Sequence, residues 1–499
     1  MKDIRKLIDF LEPKQVVGLN YGHFSSVCYN SRKCEPYSLF VAIPGTKVDG
    51  HNFINEAIEK GAKYIICEKL PEIIHPEVTY FLVNNSRIAL AQASNFWFGF
   101  PTHNLDIVGV TGTNGKTTVT YLLQEIMRFD GRNPAVIGTI GAFADSYSKL
   151  LNNTTPESYE LFKIFKELKD LGVNFVAMEV SSHSLHQNRV FGIDFKGAIF
   201  TNLSQDHLDY HKDMNDYASA KSLLFKMLSN DAIVVANADD PYFPLVVCET
   251  KATRRYNVGR NDDSDVKIAN EILALGRSMF ELQFKTRDLA INSLFLTTKL
   301  IGRFNIDNVA LASTMALALG VGSQKIQNAM ESFKGVPGRM QRIELSNGAL
   351  GIVDYSHTPD ALKKALETCR EILNFENPLG KLICVFGCGG ERDPDKRPKM
   401  GQIASELSDF VVITNDNPRK EDPAKIINQI YSGISREGKR KVIQISNRDE
   451  AIDYAYKLSR KGDIILVAGK GHEDYQIIGD VKYHFSDLEQ LQKYSTDAK

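Results

Sequence analysis

Paired cysteines are missing from this chain. Its seven cysteines, at positions 28, 34, 67, 248, 369, 384 and 388, include no CxxC and no paired metal-ligand spacing. An odd, dispersed set argues against a disulfide framework and fits reduced thiols in the cytosol. Long apolar runs are missing too; none approaches the roughly 20 residues that cross a bilayer. The first ten residues, Met1-Lys-Asp-Ile-Arg-Lys-Leu-Ile-Asp-Phe10, alternate charge with apolar side chains and lack a signal-peptide core. A cytoplasmic protein without membrane insertion is expected. Nor is one sign of charge in excess: 60 Lys and Arg against 61 Asp and Glu leave −1. That balance disfavours nucleic acid or an anionic membrane as a general partner.

What remains is ordinary globular composition, 43% hydrophobic and 24% charged. Its 499 residues suit about two to four domains. One stretch organises the rest, Gly109-Val-Thr-Gly112-Thr113-Asn114-Gly115-Lys116-Thr117-Thr118. An apolar run, Leu105 to Val108, precedes it, and an amphipathic one, Val119 to Met127, follows. Strand, glycine-rich turn and helix are the setting a phosphate-binding loop needs. Gly112 and Gly115 let backbone N–H groups turn towards phosphate oxygens at the positive helix end. Lys116 adds a point charge for the terminal phosphates, and the Thr117 hydroxyl is a ligand for Mg²⁺. Five residues rather than the usual four separate Gly109 from Gly115. The chain is therefore expected to bind a nucleoside triphosphate.

Strand and helix patterns alternate after this loop, which predicts a parallel α/β sheet. Thr154-Thr155-Pro156-Glu157 opens a helix, with Thr155 as N-cap and Pro156 at its first position. Apolar Val173–Met178 runs into Glu179, and Gly197–Asn202 into Asp206 and His207. Ligands in such sheets sit beyond the carboxyl ends of the strands. Glu179, Asp206 and His207 should then share a rim with Lys116 and Thr117, where they suit a divalent ion between a nucleotide and its acceptor. On the helix around Tyr217-Ala-Ser-Ala-Lys221, Tyr217, Lys221, Leu224 and Phe225 fall on one face. An inward lysine tends to neutrality and can form a carbamate with CO₂; periodicity alone favours a lysine that snorkels to water.

Met279–Phe284 and Leu294–Thr298 read as strands of a small accessory sheet. Asn305 and Asn308 begin an Ala-rich helix, where their amides serve either a base or ribose or the cap. Near the N-terminus, Asn30-Ser31-Arg32 and Pro44–His51 are polar turns, open equally to a ligand or to plain turn chemistry. Gly335–Arg342 marks another boundary. Beyond it, strands end in Asp354-Tyr-Ser-His357, in the turn holding Arg392, in Asp416-Asn417-Pro418-Arg419 and in Gly469-Lys-Gly-His-Glu473. Guanidinium groups grip carboxylates while acids and amides grip ammonium groups, a mixture suited to a zwitterionic amino acid. Gly387-Cys-Gly-Gly lacks the full dinucleotide spacing.

These motifs together resemble the Mur ligases, ATP-dependent amide-forming enzymes of peptidoglycan precursor synthesis. The resemblance rests on Gly112–Thr117, Glu179-Val-Ser-Ser-His183, Asn202–His207, Tyr217–Lys221, Gly302-Arg-Phe-Asn305, Asp354–His357 and Gly469–Glu473. Within the family it is to members that join a diamino acid to UDP-N-acetylmuramoyl-L-alanyl-D-glutamate. Asp416-Asn-Pro-Arg419 is similar to members selecting meso-2,6-diaminopimelate, with L-lysine as the alternative acceptor. A folylpolyglutamate-synthase-like ligase is the other alternative.

The resemblance implies an α/β chain of three domains. These are a UDP-sugar-binding 1–101, a central P-loop-type ATPase over 102–336 and a Rossmann-like amino-acid domain over 337–499. It implies ATP at Gly112, Thr113, Asn114, Gly115, Lys116, Thr117, Thr118, Asn305, Arg339, Asp354 and His357. It implies the nucleotide-sugar peptide at Ser31, Thr46, Asn153, Thr154, Thr155, Ser181, Gln187 and Arg189. Diaminopimelate falls to Arg392, Asp416, Asn417, Pro418, Arg419, Gly469 and Glu473. Mg²⁺ falls to Thr117, Glu179, His207 and a carbamylated Lys221, with Lys116, Glu179, His207 and Lys221 as the catalytic set. The phosphate-loop spacing matches the family, whereas Asn30 stands where the family often has Asp. A monomer is expected, with small molecules as its partners.

Overall fold

The computed structural model describes residues 1–45, 48–207, 210–273, 277–286, 288–289 and 291–496. Alternating apolar strands and amphipathic helices assemble into α/β layers around three main sheets, as the periodicity predicts. Among the described residues the central sheet has eleven strands. Its parallel core takes Pro134–Ile137, Phe175–Glu179, Asp106–Thr111, Phe195–Phe200, Ile233–Asn237 and Arg254–Gly259 in that spatial order.

Successive side chains of these strands point to opposite faces. Val108, Val110, Phe175 and Ala177 pack on the phosphate-loop helix Lys116–Phe129 and on the helix Arg303–Ala318. Ile107, Val176 and Met178 pack on Ser158–Asp170 and Met214–Lys226. Burial on both faces explains why the strands read as unbroken apolar runs. The register sets Glu179 opposite Val110 and Phe200 opposite Thr111, so three strands end at one rim.

Two sequence expectations are corrected. Ser278–Phe284 and Ser293–Thr298 form no accessory sheet; they pair antiparallel onto the edge of the central one. Thr155 is not a helix cap. The helix begins at Ser158 with Glu157 as its cap, because the Thr155 hydroxyl instead donates to the Glu179 carbonyl at 2.8 Å.

A five-stranded sheet over residues 15–82 and a six-stranded one over 341–468 flank the centre in sequence. The latter runs Gln341–Glu344, Leu350–Asp354, Ile464–Ala468, Leu382–Phe386, Phe410–Ile413 and Val442–Gln444, parallel after its first pair. Its register sets Asp354 and Phe386 level with Ala468. The polar turns after these strands therefore start at one height. No described helix is long and apolar enough to cross a membrane.

Candidate active site

The phosphate loop leaves its strand through Gly112 (φ +147°) and enters its helix through Gly115 (φ +86°). A side chain at Gly112 would overlap the Thr201 hydroxyl, and one at Gly115 the Asn308 amide. Glycine is thus imposed by conformation and by space. The loop is stitched to the next strand end: Thr113 N–H donates to the Asn202 carbonyl at 2.7 Å, and Asn114 N–H to Asn202 Oδ1 at 3.0 Å. Lys116 Nζ donates to the Gly112 and Thr113 carbonyls at 2.9 and 2.8 Å. Packing around this ammonium lowers its pKa from the ordinary lysine value, partly opposed by Glu179 and Asp206.

Glu179 is 1% exposed and ends its strand against this loop. Its Oε1 accepts from the Thr117 hydroxyl and the Thr139 N–H, both at 2.9 Å, and its Oε2 from the Thr139 hydroxyl at 3.1 Å. Gly138 leaves no room for another side chain beside the carboxylate. Thr117 and Glu179 present two hard oxygens in contact at the loop mouth. That donor set suits Mg²⁺, which takes one or two protein oxygens and completes its shell with water and phosphate. Among the described residues no three His, Cys, Asp or Glu side chains form an all-protein cage. His207 (φ +54°) lies on the same rim with Asp206 Oδ2 3.4 Å from its Nε2, and its ring meets that of His183 at 4.9 Å.

Lys221 does not snorkel. It is 1% exposed, Nζ donates to the Gly112 carbonyl at 2.8 Å, and the Tyr217 ring lies 4.4 Å away. Burial, reinforced by the Lys116 charge, pushes its pKa well below the lysine range. Burial against the phosphate loop disfavours the charged form of this amine.

A cleft of about 300 Å³ unites these groups with the body built on the six-stranded sheet. Thr113 to Thr118, Thr154, Glu179, Ser181, Asp206, His207 and Asn305 line it from one side, and Arg339, Asp354 and His357 from the other. Gly112 and Lys221 lie behind this lining. Asn305 and Asn308, both 3% exposed, are bonded to each other at 3.2 Å rather than capping the helix, whose N-cap is Gly302. Arg339 crosses the gap, its Nη2 3.5 Å from the Thr117 hydroxyl and its guanidinium over the Tyr355 ring at 4.6 Å. Asp354 accepts from the Met340 N–H at 2.8 Å and from the Ser356 hydroxyl; burial raises its pKa.

The residues expected to hold the nucleotide-sugar peptide divide. Thr155, Ser181, Gln187 and Arg189 form one bonded group. Arg189 Nη1 donates to the Thr155 carbonyl at 2.9 Å and Nη2 to Gln187 Oε1 at 2.7 Å, and Ser181 N–H donates to the Thr155 hydroxyl at 3.2 Å. Thr154 meets the Thr139 hydroxyl at 3.1 Å, while Asn153 is exposed. Ser31 lies apart in a 3₁₀ turn capped by Asn30, donating to Glu56 at 2.8 Å. Its neighbour Tyr29 donates to Glu160 at 2.8 Å, which seats this turn against the helix beside Arg189. Thr46 falls outside the described residues.

A second polar cluster gathers at the strand ends of the C-terminal sheet. Asn417 Nδ2 donates to Glu473 at 2.9 Å. Arg419 (φ +52°) donates from Nη1 to the Gly390 carbonyl at 2.7 Å, and its backbone is pinned to Ile477 and Gly479. A Cβ on Gly389 would lie 3.1 Å from Arg419 Nη1 and 3.6 Å from Arg392 Cγ, so the two arginines converge over a bare backbone. Pro418 turns its carbonyl onto Gly390, and Gly469 (φ +117°) donates its N–H to the Asp354 carbonyl at 3.0 Å.

Sequence reasoning missed the centre of this cluster, Lys470. Fully buried, its ammonium contacts Asp416 Oδ1 at 3.1 Å, Asn417 Oδ1 at 3.0 Å and the Tyr475 carbonyl at 2.6 Å. Burial and the Asp416 charge raise the Glu473 pKa, and Lys470 counters them. Thr139 was missed as well; its place at a strand end was the available signal.

Known proteins match this chain over nearly all of its length. The Mur ligase middle domain matches residues 110–316, the Mur ligase glutamate ligase domain 338–471 and the Mur ligase family catalytic domain 23–97. The UDP-N-acetylmuramoyl-L-alanyl-D-glutamate–2,6-diaminopimelate ligase of Phocaeicola vulgatus is 40% identical over 98% of both chains. The chain belongs to the Mur ligase family. The enzyme of the same name from Geobacillus kaustophilus is 42% identical to this Mur ligase over 92% of both chains. A solved structure of such a ligase superposes with a TM-score of 0.67 at 31% identity, covering 94% of each.

Proposed function

We propose that this Mur ligase is the ATP-dependent amide ligase that adds meso-2,6-diaminopimelate to UDP-N-acetylmuramoyl-L-alanyl-D-glutamate in the cytoplasm. The observation that carries the reading is the pairing of two strand-end sites across one cleft. A phosphate loop with Thr117 and Glu179 lies on one side and Arg339, Asp354 and His357 on the other, while Arg392 and Arg419 gather with Asp416, Asn417 and Glu473 at the strand ends of the same C-terminal sheet. Domains at 1–101, 102–336 and 337–499 follow from the same reading, and the family matches at 23–97, 110–316 and 338–471 fit within them. The same reading takes the chain as a monomer acting on small molecules.

A free carboxylate resists amide formation because oxide is a poor leaving group. Transfer of the ATP γ-phosphoryl to the D-glutamate γ-carboxylate gives an acyl phosphate, which the incoming amine attacks as phosphate departs. Both first reactants are anionic, so the chain must hold them in line against repulsion. Backbone N–H groups of the loop and Lys116 hold the phosphates, and Thr155, Ser181, Gln187 and Arg189 hold the muramoyl peptide near Thr154. Thr117 and Glu179, with His207 on the rim, would hold Mg²⁺, which would supply positive charge against the anionic reactants. Asn305, Arg339, Asp354 and His357 enclose the nucleotide from the far side. Arg392 and Arg419 take a carboxylate of the diamino acid while Asp416 and Glu473 take an ammonium.

Lys221, on this reading, carries a CO₂-derived carbamate, which turns a buried amine into a carboxylate-like oxygen donor. Lys221→Ala is expected to lose about 10²-fold in turnover, of the order of one lost electrostatic contact. Added formate or acetate should restore part of it. Wild-type turnover in the alanine variant overturns the assignment.

The function is tested by ADP release and tripeptide formation from ATP, Mg²⁺ and UDP-muramoyl dipeptide with a panel of amino acids. meso-Diaminopimelate should stimulate most. Equal stimulation by L-lysine overturns the acceptor, and absence of both ADP and tripeptide overturns the whole reading.

A further inference from the structure

The phosphate loop is also gripped from the C-terminal body, at a residue outside both polar clusters. Asp360 lies in the first turn of Pro359–Glu376, the helix that follows Asp354–His357. Its Oδ2 accepts from Asn114 Nδ2 at 3.2 Å and from the Ser204 hydroxyl at 2.8 Å, with Lys364 Nζ 3.0 Å away. Asn114 belongs to the phosphate loop. Ser204 is already tied to that loop, its N–H donating to the Thr113 hydroxyl at 3.0 Å and its Oγ accepting from Asn114 Nδ2 at 3.3 Å. One carboxylate thus reaches across the cleft and closes a ring of hydrogen bonds around the Thr113–Asn114 corner.

We propose that Asp360 is a positioning residue, a latch by which closure of the amino-acid-carrying body fixes the phosphate loop for amine attack. The inference rests on the function proposed above. Three considerations support it. The partners are neutral amide and hydroxyl donors, so the carboxylate supplies charge-assisted bonds, which are stronger than neutral ones. The contact ties the helix after Asp354–His357 directly to the phosphate loop on the facing body, and Lys364, one helical turn on, braces the same carboxylate oxygen. Asp360 meets the loop only through the Asn114 side-chain amide and Ser204, not through Lys116 or the loop's backbone N–H groups, so its removal acts on geometry rather than on chemistry.

The test compares Asp360→Ala, Asp360→Asn, Ser204→Ala and the double variant with wild type. Asp360→Ala should lower kcat about 10-fold or more, the size of a broken contact network, with the KM for ATP within about threefold. Asp360→Asn, which keeps an acceptor but not the charge, should recover only part of the loss. The double variant should be no slower than Asp360→Ala, because both substitutions open the same ring. Small-angle scattering with ATP analogue and both other substrates should show Asp360→Ala more extended than wild type. Unchanged kcat in Asp360→Ala, or multiplicative losses in the double variant, overturns the latch. So does a wild-type scattering profile. Inactive wild-type protein instead overturns the functional reading, and a melting temperature matched to wild type shows that the variants fold.

Discussion

Glu179→Gln is expected to lower kcat/KM for ATP about 10³-fold, at the upper end for loss of one preorganised electrostatic group. Glutamine keeps the shape and can still accept from the Thr117 hydroxyl and the Thr139 N–H, the bonds that fix this side chain now. What it removes is the negative charge at the mouth of the phosphate loop. Anionic ATP and an anionic carboxylate must meet there, so a cation that Glu179 no longer attracts leaves their repulsion unopposed. The defect should shrink as Mg²⁺ is raised, and the melting temperature should stay near wild type because the packing is retained. Glu179→Ala goes further, since at 1% exposure it strands all three donors, the Thr117 hydroxyl and the Thr139 N–H and hydroxyl, and also destabilises the fold. Steady-state kinetics over a Mg²⁺ series decide the matter: wild-type kcat/KM in the glutamine variant at low Mg²⁺ sinks the assignment.

Arg419→Ala should cut kcat/KM for meso-diaminopimelate roughly 10²-fold, in the range for removing one partner of a hydrogen-bonded charge pair. Turnover of L-lysine should rise, since the guanidinium that lysine would leave unmet is gone. Diaminopimelate carries a second α-carboxylate where lysine carries hydrogen, so only the former loses a partner. On the proposed assignment the wild-type guanidinium disfavours lysine because its charge would be left unmet. The side chain is pre-aimed, with Nη1 on the Gly390 carbonyl and the backbone held in the left-handed region at φ +52°. Arg419→Lys should not rescue, since an ammonium lacks the planar fork that grips a carboxylate in two bonds. Competition assays with both amino acids read the effect directly. An unchanged preference in Arg419→Ala removes Arg419 from the specificity argument and leaves Arg392 alone with the carboxylate.

How much of this was legible follows from how local each feature is. The phosphate loop is contiguous, and its two glycines are forced by backbone torsion, so its motif was plain in the chain. The strand ends were legible for a similar reason: an apolar run buried on both faces must stop at a polar residue, and parallel strands stop on one side. That logic found Glu179, Asp206, His207, Asp416 and Asn417. It misplaced Thr155, because Thr-Pro-Glu is an acceptable helix start and nothing nearby reveals the Glu179 carbonyl that claims its hydroxyl. It also favoured a snorkelling Lys221, because periodicity gives a face but not the depth of what lies against it.

The sequence by itself determined the alternation of strand and helix, the nucleotide loop, the polar strand ends and the family resemblance they compose. Only the tertiary structure decided that Lys470 sits unexposed between Asp416 and Asn417, or that Thr139 braces Glu179. It alone brought Asp360 to Asn114 across 246 residues of chain. Such contacts follow no period and obey no local torsion. They depend on which surfaces meet when three sheets pack, and a hydrogen bond between distant residues leaves no mark on the sequence beside either of them.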